Sequence, residues 1–263
     1  MSISFSVGKH RVRFAGQTDV GQVRALNEDN LLVPKDMALG VVSDGMGGHS
    51  AGEVASQITV ETIAEFYGNT GEYQPTTFPF RLPSLEFERN RMTTAIKLAN
   101  SRIYETAQAD ADKKGMGCTV DAIYFSQGRF VIGHVGDSRV YRIRDGGLRQ
   151  LTEDHSLLND YRRMKEMSGE EVRNFPHKNV VVRALGLGER VYVDLVSDDC
   201  HAGDTFLLCS DGLTDMLSDE EVLEICNEGA ARLDQLAQRL VDAANEAGGK
   251  DNITALMIQV EDI

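Results

Sequence analysis

Tryptophan is absent from this sequence, proline occurs five times, and positive charge is scarce: 27 Lys and Arg stand against 41 Asp and Glu, a formal net charge of −14. A phosphate backbone demands Lys and Arg, so this balance excludes nucleic acid as an expected partner. It equally disfavours an anionic membrane surface. No apolar run reaches the roughly 20 residues that a spanning helix needs. The start, Met1-Ser2-Ile3-Ser4-Phe5-Ser6, lacks the basic residues and long apolar segment of a secretory leader. A cytoplasmic protein is therefore expected. Cys118, Cys200, Cys209 and Cys226 include no CxxC pair, which removes zinc-ribbon and thioredoxin-type readings. Cys209 lies in the apolar run Phe206-Leu207-Leu208-Cys209, and all four thiols are expected to be reduced and structural.

What is present suits a globular enzyme of mixed structure. The 263 residues, 41% of them hydrophobic, are enough to bury a sizeable core. Short apolar-rich runs predict strands at 12–18, 30–33, 37–42, 119–125, 129–135, 140–144, 148–151, 192–196, 205–210 and 253–260. Gln127-Gly128 and Asp145-Gly146-Gly147 are hairpin turn signals. Helical spacing predicts helices after Ser50, a candidate cap with Glu53 three residues on, and over 84–110, 157–167, 219–226 and 230–247. Met92, Ala95, Ile96, Ala99 and Ile103 form one apolar stripe; Leu233, Leu236, Ala237 and Leu240 form another. Three of the prolines fall within 68–83, which reads as a loop. Hairpin-linked strands with a few long amphipathic helices point to an α+β fold, antiparallel sheets covered by helices.

The chemistry concentrates in acidic stretches at strand boundaries. They are Arg24-Ala25-Leu26-Asn27-Glu28-Asp29-Asn30, Ser43-Asp44-Gly45-Met46-Gly47-Gly48-His49, Gly136-Asp137-Ser138-Arg139, Ser210-Asp211-Gly212 and Gly249-Lys250-Asp251-Asn252. Carboxylates gathered in one place repel and take up protons, and a hard divalent cation with oxygen ligands resolves the conflict. Any single Asp-Gly is only a common turn, and Asp145-Gly146 is read as one. Arg24 is a candidate phosphate clamp, because a guanidinium forks onto two phosphoryl oxygens and stays charged. The glycines around Gly47 match neither the P-loop nor the GxGxxG pattern, so no nucleotide site is expected.

Taken in this order, the stretches resemble the metal-dependent protein Ser/Thr phosphatases of the PPM (PP2C-like) family in their bacterial form. The resemblance covers about 11–260, and implies one catalytic domain over 1–263 with a flap at about 154–190. It implies a four-layer αββα sandwich, two stacked antiparallel sheets flanked by helix pairs. It makes Asp44, Asp211 and Asp251 ligands of a first Mn²⁺ or Mg²⁺. Asp44, the Gly45 carbonyl and the Glu28–Asp29 pair serve a second, and Asp137 a third, weaker one. It implies in-line attack on phosphoserine or phosphothreonine of proteins by a water between two cations, with Arg24 on the phosphoryl oxygens. Opposition to a Ser/Thr kinase follows as the expected setting. Eukaryotic relatives carry His where this chain has Met46, which leaves the general acid open between His49 and a water.

Two other classes compete. A silent phosphopeptide- or partner-binding pseudophosphatase should lack ligands, and no expected ligand is missing. A hydrolase of small phosphoesters should have a narrow, deep pocket. The other histidines draw bland readings: His10 and His201 as surface residues, His134 as packed, His155 as locally hydrogen-bonded, and His177 without chemistry. Arg162, Arg163 and Lys165 read as a solvated basic helix face in the flap.

Overall fold

Alternation along the strands decides how the layers stack. In the computed structural model, which describes residues 2–47, 51–70, 84–165, 167, 171, 175, 177, 180–227 and 232–263, thirteen strands form two main antiparallel sheets and a two-residue ladder. The strands are β1 (Ile3–Val7), β2 (His10–Asp19), β3 (Asn30–Leu32), β4 (Leu39–Ser43), β5 (Gly45–Met46), β6 (Gly117–Cys118), β7 (Val120–Ser126), β8 (Arg129–Val135), β9 (Arg139–Arg144), β10 (Gly147–Gln150), β11 (Asp194–Asp199), β12 (Thr205–Cys209) and β13 (Ile253–Asp262). One sheet has the order β1-β2-β13-β12-β9-β10 and the other β11-β8-β7-β4-β3. The helices are α1 (Ala51–Thr70), α2 (Ser84–Ala109), α3 (Leu157–Met164), α4 (Asp211–Thr214), α5 (Asp219–Asn227) and α6 (Leu233–Glu246).

Three apolar clusters correspond to the three interfaces of a four-layer sandwich. Along β13, Leu256, Ile258 and Val260 enter the cluster between the sheets, while Ala255 and Met257 face α6. Along β7, Ile123 and Phe125 point between the sheets, while Val120, Ala122 and Tyr124 face α1 and α2. This period of two is what a sheet covered on both faces requires. The inter-sheet cluster contains Phe14, Phe125, Phe130 and Phe206, with ring centroids 4.9–5.9 Å apart for the edge-on pairs that tie Phe206 to Phe130 and Phe14 to Phe125. Burying one such ring removes enough apolar surface to stabilise the fold by about 2–3 kcal/mol. The stripes expected on α2 and α6 are the buried faces of those helices.

The predicted elements are present with shifted ends. Helix α1 continues to Thr70, so 68–70 are helical rather than part of the expected loop. Strand β11 starts two residues later than the expected 192, and α3 stops at Met164 rather than 167. Gln127 and Asp145 hold φ of 50° and 51° before Gly128 and Gly146 at 77° and 76°, the doubly positive pattern of tight hairpins. His10 corrects an expectation: at the start of β2, paired with Val7, it is 3% exposed and not on the surface. The proposed cap Ser50 and the candidate acid His49 lie outside the described residues, as does most of the expected loop from 71 to 83. Among the described residues no helix is long and apolar enough to cross a membrane.

Candidate functional site

Strand register brings the acidic stretches to one end of the sandwich. Asn30 of β3 is paired with Ser43 of β4, so Asp29 and Asp44 leave adjacent strands at the same edge. Val120 of β7 is paired with Val135 of β8, which places Thr119 beside the turn that carries Asp137. Cys209 of β12 pairs with both Ala255 of β13 and Arg139 of β9, so Asp211, Asp251 and Asp137 emerge together. The resulting cleft, about 380 Å³, is lined by Arg24, Glu28, Asp44, Gly45, Met46, Gly47, Thr119, Asp137, Val181, Asp211 and Asp251.

Among the described residues, Asp29 is the one candidate that does not reach the cleft wall. It is 5% exposed and lies behind the wall. There its Oδ2 accepts 2.7 Å hydrogen bonds from Ser210 Oγ and Thr254 Oγ1. Its place is that of a support to Asp44 rather than a direct wall residue.

The glycines of the two Asp-Gly pairs are needed for close backbone approach, not for a left-handed conformation. A Cβ on Gly45 would overlap the carbonyl oxygen of Gly52, and one on Gly212 would overlap that of Asn252. Only glycine lets these chains cross at that distance.

Three polar residues organise the loops. Asn252 accepts from the Glu28 N–H at 2.8 Å and donates to the Val20 and Leu26 carbonyls at 2.9 Å, pinning the segment that carries Arg24. Thr119 Oγ1 accepts from the Asp44 N–H at 2.9 Å and lies 2.7 Å from Ser138 Oγ, tying Asp44 to the Asp137 turn. Arg139 forks onto Asp154 at 2.9 and 2.7 Å beneath that turn. Sequence reasoning missed Thr119 and Thr254, which belong to no charged motif; Ser210 and Asn252 were visible only as neighbours of Asp211 and Asp251.

The electrostatics are those of anions held together against their repulsion. Burial and then the neighbouring Asp137, Asp215, Asp251 and Asp29 push the Asp211 carboxyl up to about 8. Burial, then Asp29, Asp211, Asp137 and Asp251, hold Asp44 well above the ordinary carboxylate range. Burial raises Asp29 to about 6 against the opposing bonds from Thr254 and Ser210, and burial with Asp154 raises Asp137 to about 6. Glu28 Oε1 and Asp29 Oδ1 are buried without a hydrogen-bond partner among the described residues. Buried oxygens in need of a positive partner fit a hard divalent cation. Among the described residues no three acidic side chains close around one point at ligand spacing. The open cleft suits Mg²⁺-like binding, which uses one or two carboxylates and keeps several waters. Arg24 Nη2 lies 2.6 Å from Asp251 Oδ2, so the cation of the site stands at its acidic rim.

Comparison with known proteins agrees with this architecture. The family model for protein phosphatase 2C matches residues 21–257. The Ser/Thr phosphatase stp of Listeria monocytogenes is 39% identical over 246 residues, covering 92% of this chain and 94% of the relative. The crystal structure of the Mycobacterium tuberculosis Ser/Thr phosphatase PstP/Ppp superposes with a TM-score of 0.84 at 34% identity, covering 95% of this chain and 99% of that one. The catalytic domain of PstP in complex with two manganese ions gives 0.82 at 33% identity, covering 96% and 100%. The two-sheet sandwich, the acidic cleft at one end of it and a family match over most of its length lead to one assignment: the chain belongs to the protein phosphatase 2C family.

Proposed function

We propose that this chain hydrolyses phosphoserine and phosphothreonine in proteins with divalent cations, Mn²⁺ or Mg²⁺, held in the acidic cleft. The observation that carries the reading is the convergence of Glu28, Asp44, Asp137, Asp211 and Asp251 opposite Arg24. In this assignment Asp44, Asp211 and Asp251 would hold one cation, in part through water; Asp44, the Gly45 carbonyl and Glu28, backed by Asp29, would hold a second, also partly through water; Asp137 would serve a third. Bound cations supply a water of lowered pKa and neutralise phosphoryl oxygens.

The chain's own residues do the rest. Arg24 presents a planar fork of five N–H donors, so contact with Asp251 leaves donors for two phosphoryl oxygens. Asn252 and Thr119 fix the loops on which Arg24 and Asp44 are carried, so positioning costs little at the moment of reaction. Met46 holds the position of the eukaryotic histidine and lines the cleft without a titratable group. No histidine lines the cleft among the described residues; the acid for the leaving oxygen is either His49, which lies outside them, or a water. The segment 154–190, which contributes Val181 to the wall, acts as a substrate-facing flap on a single catalytic domain. The acidic net charge and the substrate class fit a cytoplasmic enzyme that opposes a Ser/Thr kinase. Initial rates on matched phosphothreonine, phosphoserine and phosphotyrosine peptides and on small phosphomonoesters test the specificity. Preference for the first two supports the reading; faster turnover of small metabolites contradicts it.

A further inference from the structure

His155 lies outside the cleft, yet it grips the peptide that precedes Asp137. Its backbone N–H donates to the Gly136 carbonyl at 2.7 Å, and its Nδ1 accepts from the Gly136 N–H at 3.0 Å. Gly136 sits at φ 121°, and a Cβ there would overlap Thr119. Gly136 therefore has no side chain to hold its own peptide, and His155 closes both of its backbone hydrogen bonds. Because Nδ1 accepts, a neutral ring carries its proton on Nε2, which lies 3.2 Å from Asp194 Oδ2 and 2.9 Å from Arg183 Nη1, so Nε2 is held within the Arg183–Asp194 ion pair. Arg183 donates to the other oxygen of Asp194 at 2.7 Å.

From the same residue the chain runs to the cleft wall. The His155 carbonyl accepts from the Val182 N–H at 2.8 Å, and the Val180 carbonyl accepts from Leu157 N–H at 2.9 Å. These two bonds bracket Val181, which lines the cleft.

We infer that His155 is a positioning residue, one that sets the Asp137 carboxylate through the Gly136 peptide and joins it to the Val181 wall. The inference builds on the assignment of the cleft as a cation-dependent phosphatase site. Two further observations support it. The ring is 5% exposed and packs against His134 at 4.6 Å between centroids with the planes tilted by 36°, which restricts its orientation. Burial, then the charge of His134, lower its pKa to about 4, which keeps Nδ1 an acceptor at neutral pH. His134 in turn sits between two acceptors, Asp121 Oδ1 at 2.8 Å and the Glu153 carbonyl at 3.0 Å, which favours its charged form.

The test uses two near-isosteric variants of the full chain. Asn places an oxygen where Nδ1 lies, and Gln places its terminal group where Nε2 lies. Calorimetric Mn²⁺ titration defines the binding step that Asp137→Asn removes or weakens. His155→Asn is expected to keep that step within about threefold, and His155→Gln to weaken it about tenfold, while the remaining steps stay unchanged. Adding His155→Gln to Asp137→Asn is expected to change nothing further, since both act on one group. The reverse order of Asn and Gln, equal weakening of every step, or additivity in the double variant overturns the inference. The titration is independent of turnover. Mn²⁺ steps that shift as stated without hydrolysis of phosphothreonine peptide leave the positioning role standing and refute the phosphatase reading. Normal hydrolysis with Mn²⁺ steps indifferent to His155→Gln does the opposite.

Discussion

Replacing Asp211 by Asn should make the metal-free protein more stable and the enzyme inactive. In the folded chain the Asp211 carboxyl is pushed from 3.8 up to about 8. A lone group with that shift would weaken the fold at neutral pH by about 4 kcal/mol, at 1.36 kcal/mol per pKa unit. Asp44, Asp29 and Asp137 share the strain, and each is also raised, so a neighbour can take the proton instead. A single neutral substitution therefore recovers only part, about 2 kcal/mol, or about 5 °C in Tm for a chain of this size. The sign follows from linkage. A carboxyl whose folded pKa is raised stabilises below its unfolded value and loses that contribution as pH rises through the folded value. The advantage of Asp211→Asn in EDTA should thus grow between pH 6 and 8. His155, lowered to about 4, acts in the opposite sense below its unfolded value near 6.5, but it is present in both proteins and cancels in their difference. The assay is thermal unfolding of both proteins in EDTA and in Mn²⁺. Mn²⁺ should raise the wild-type Tm and leave the variant nearly unchanged. A variant that melts lower in EDTA at pH 8, or gains as much from Mn²⁺ as wild type, refutes the reasoning.

Other predictions rest on separate residues. Arg24→Lys loses the planar fork while keeping charge, and should lower kcat/KM on a phosphothreonine peptide about 10–100-fold, since a charge-assisted hydrogen bond contributes about 1.5–3 kcal/mol. Gly212→Ala forces a Cβ onto the Asn252 carbonyl, and should lower both Tm and Mn²⁺ affinity, read by unfolding and calorimetry. Asp154→Ala leaves the guanidinium of Arg139 without its forked partner and should destabilise by about 2 kcal/mol in urea unfolding, the site being partly exposed. Mn²⁺ must displace the protons held by raised carboxylates, so its affinity should climb from pH 6 to 8, by about tenfold per unit for each proton released. A pH-independent affinity contradicts this.

The sequence reveals the layers because β-strand and helix periods differ, as the alternating residues of β13 and the stripe on α2 show. It reveals the acidic wall because the carboxylates sit in short motifs at strand boundaries: Asn27-Glu28-Asp29, Asp44-Gly45, Gly136-Asp137-Ser138, Asp211-Gly212 and Asp251-Asn252. It does not reveal that Asp29 turns away from the cleft, since that depends on hydroxyls of Ser210 and Thr254 more than 180 residues distant. Thr119 is hidden for the same reason, acting across a strand pairing that only the folded sheet creates. His10 reads as surface because its neighbours Lys9 and Arg11 are charged, whereas strand alternation turns its ring inward. Helix and strand ends shift where no glycine or proline marks a stop, as at Met164 and Asp194.

The most direct test of the central claim is initial-rate hydrolysis of a phosphothreonine peptide by wild type and Asp211→Ala, in Mn²⁺, in EDTA, and after Mn²⁺ is restored. The account predicts turnover that disappears in EDTA, returns with Mn²⁺, and is lost in folded Asp211→Ala under every condition. Turnover that persists in EDTA, or survives the loss of Asp211, would contradict a cation-dependent site built on these carboxylates.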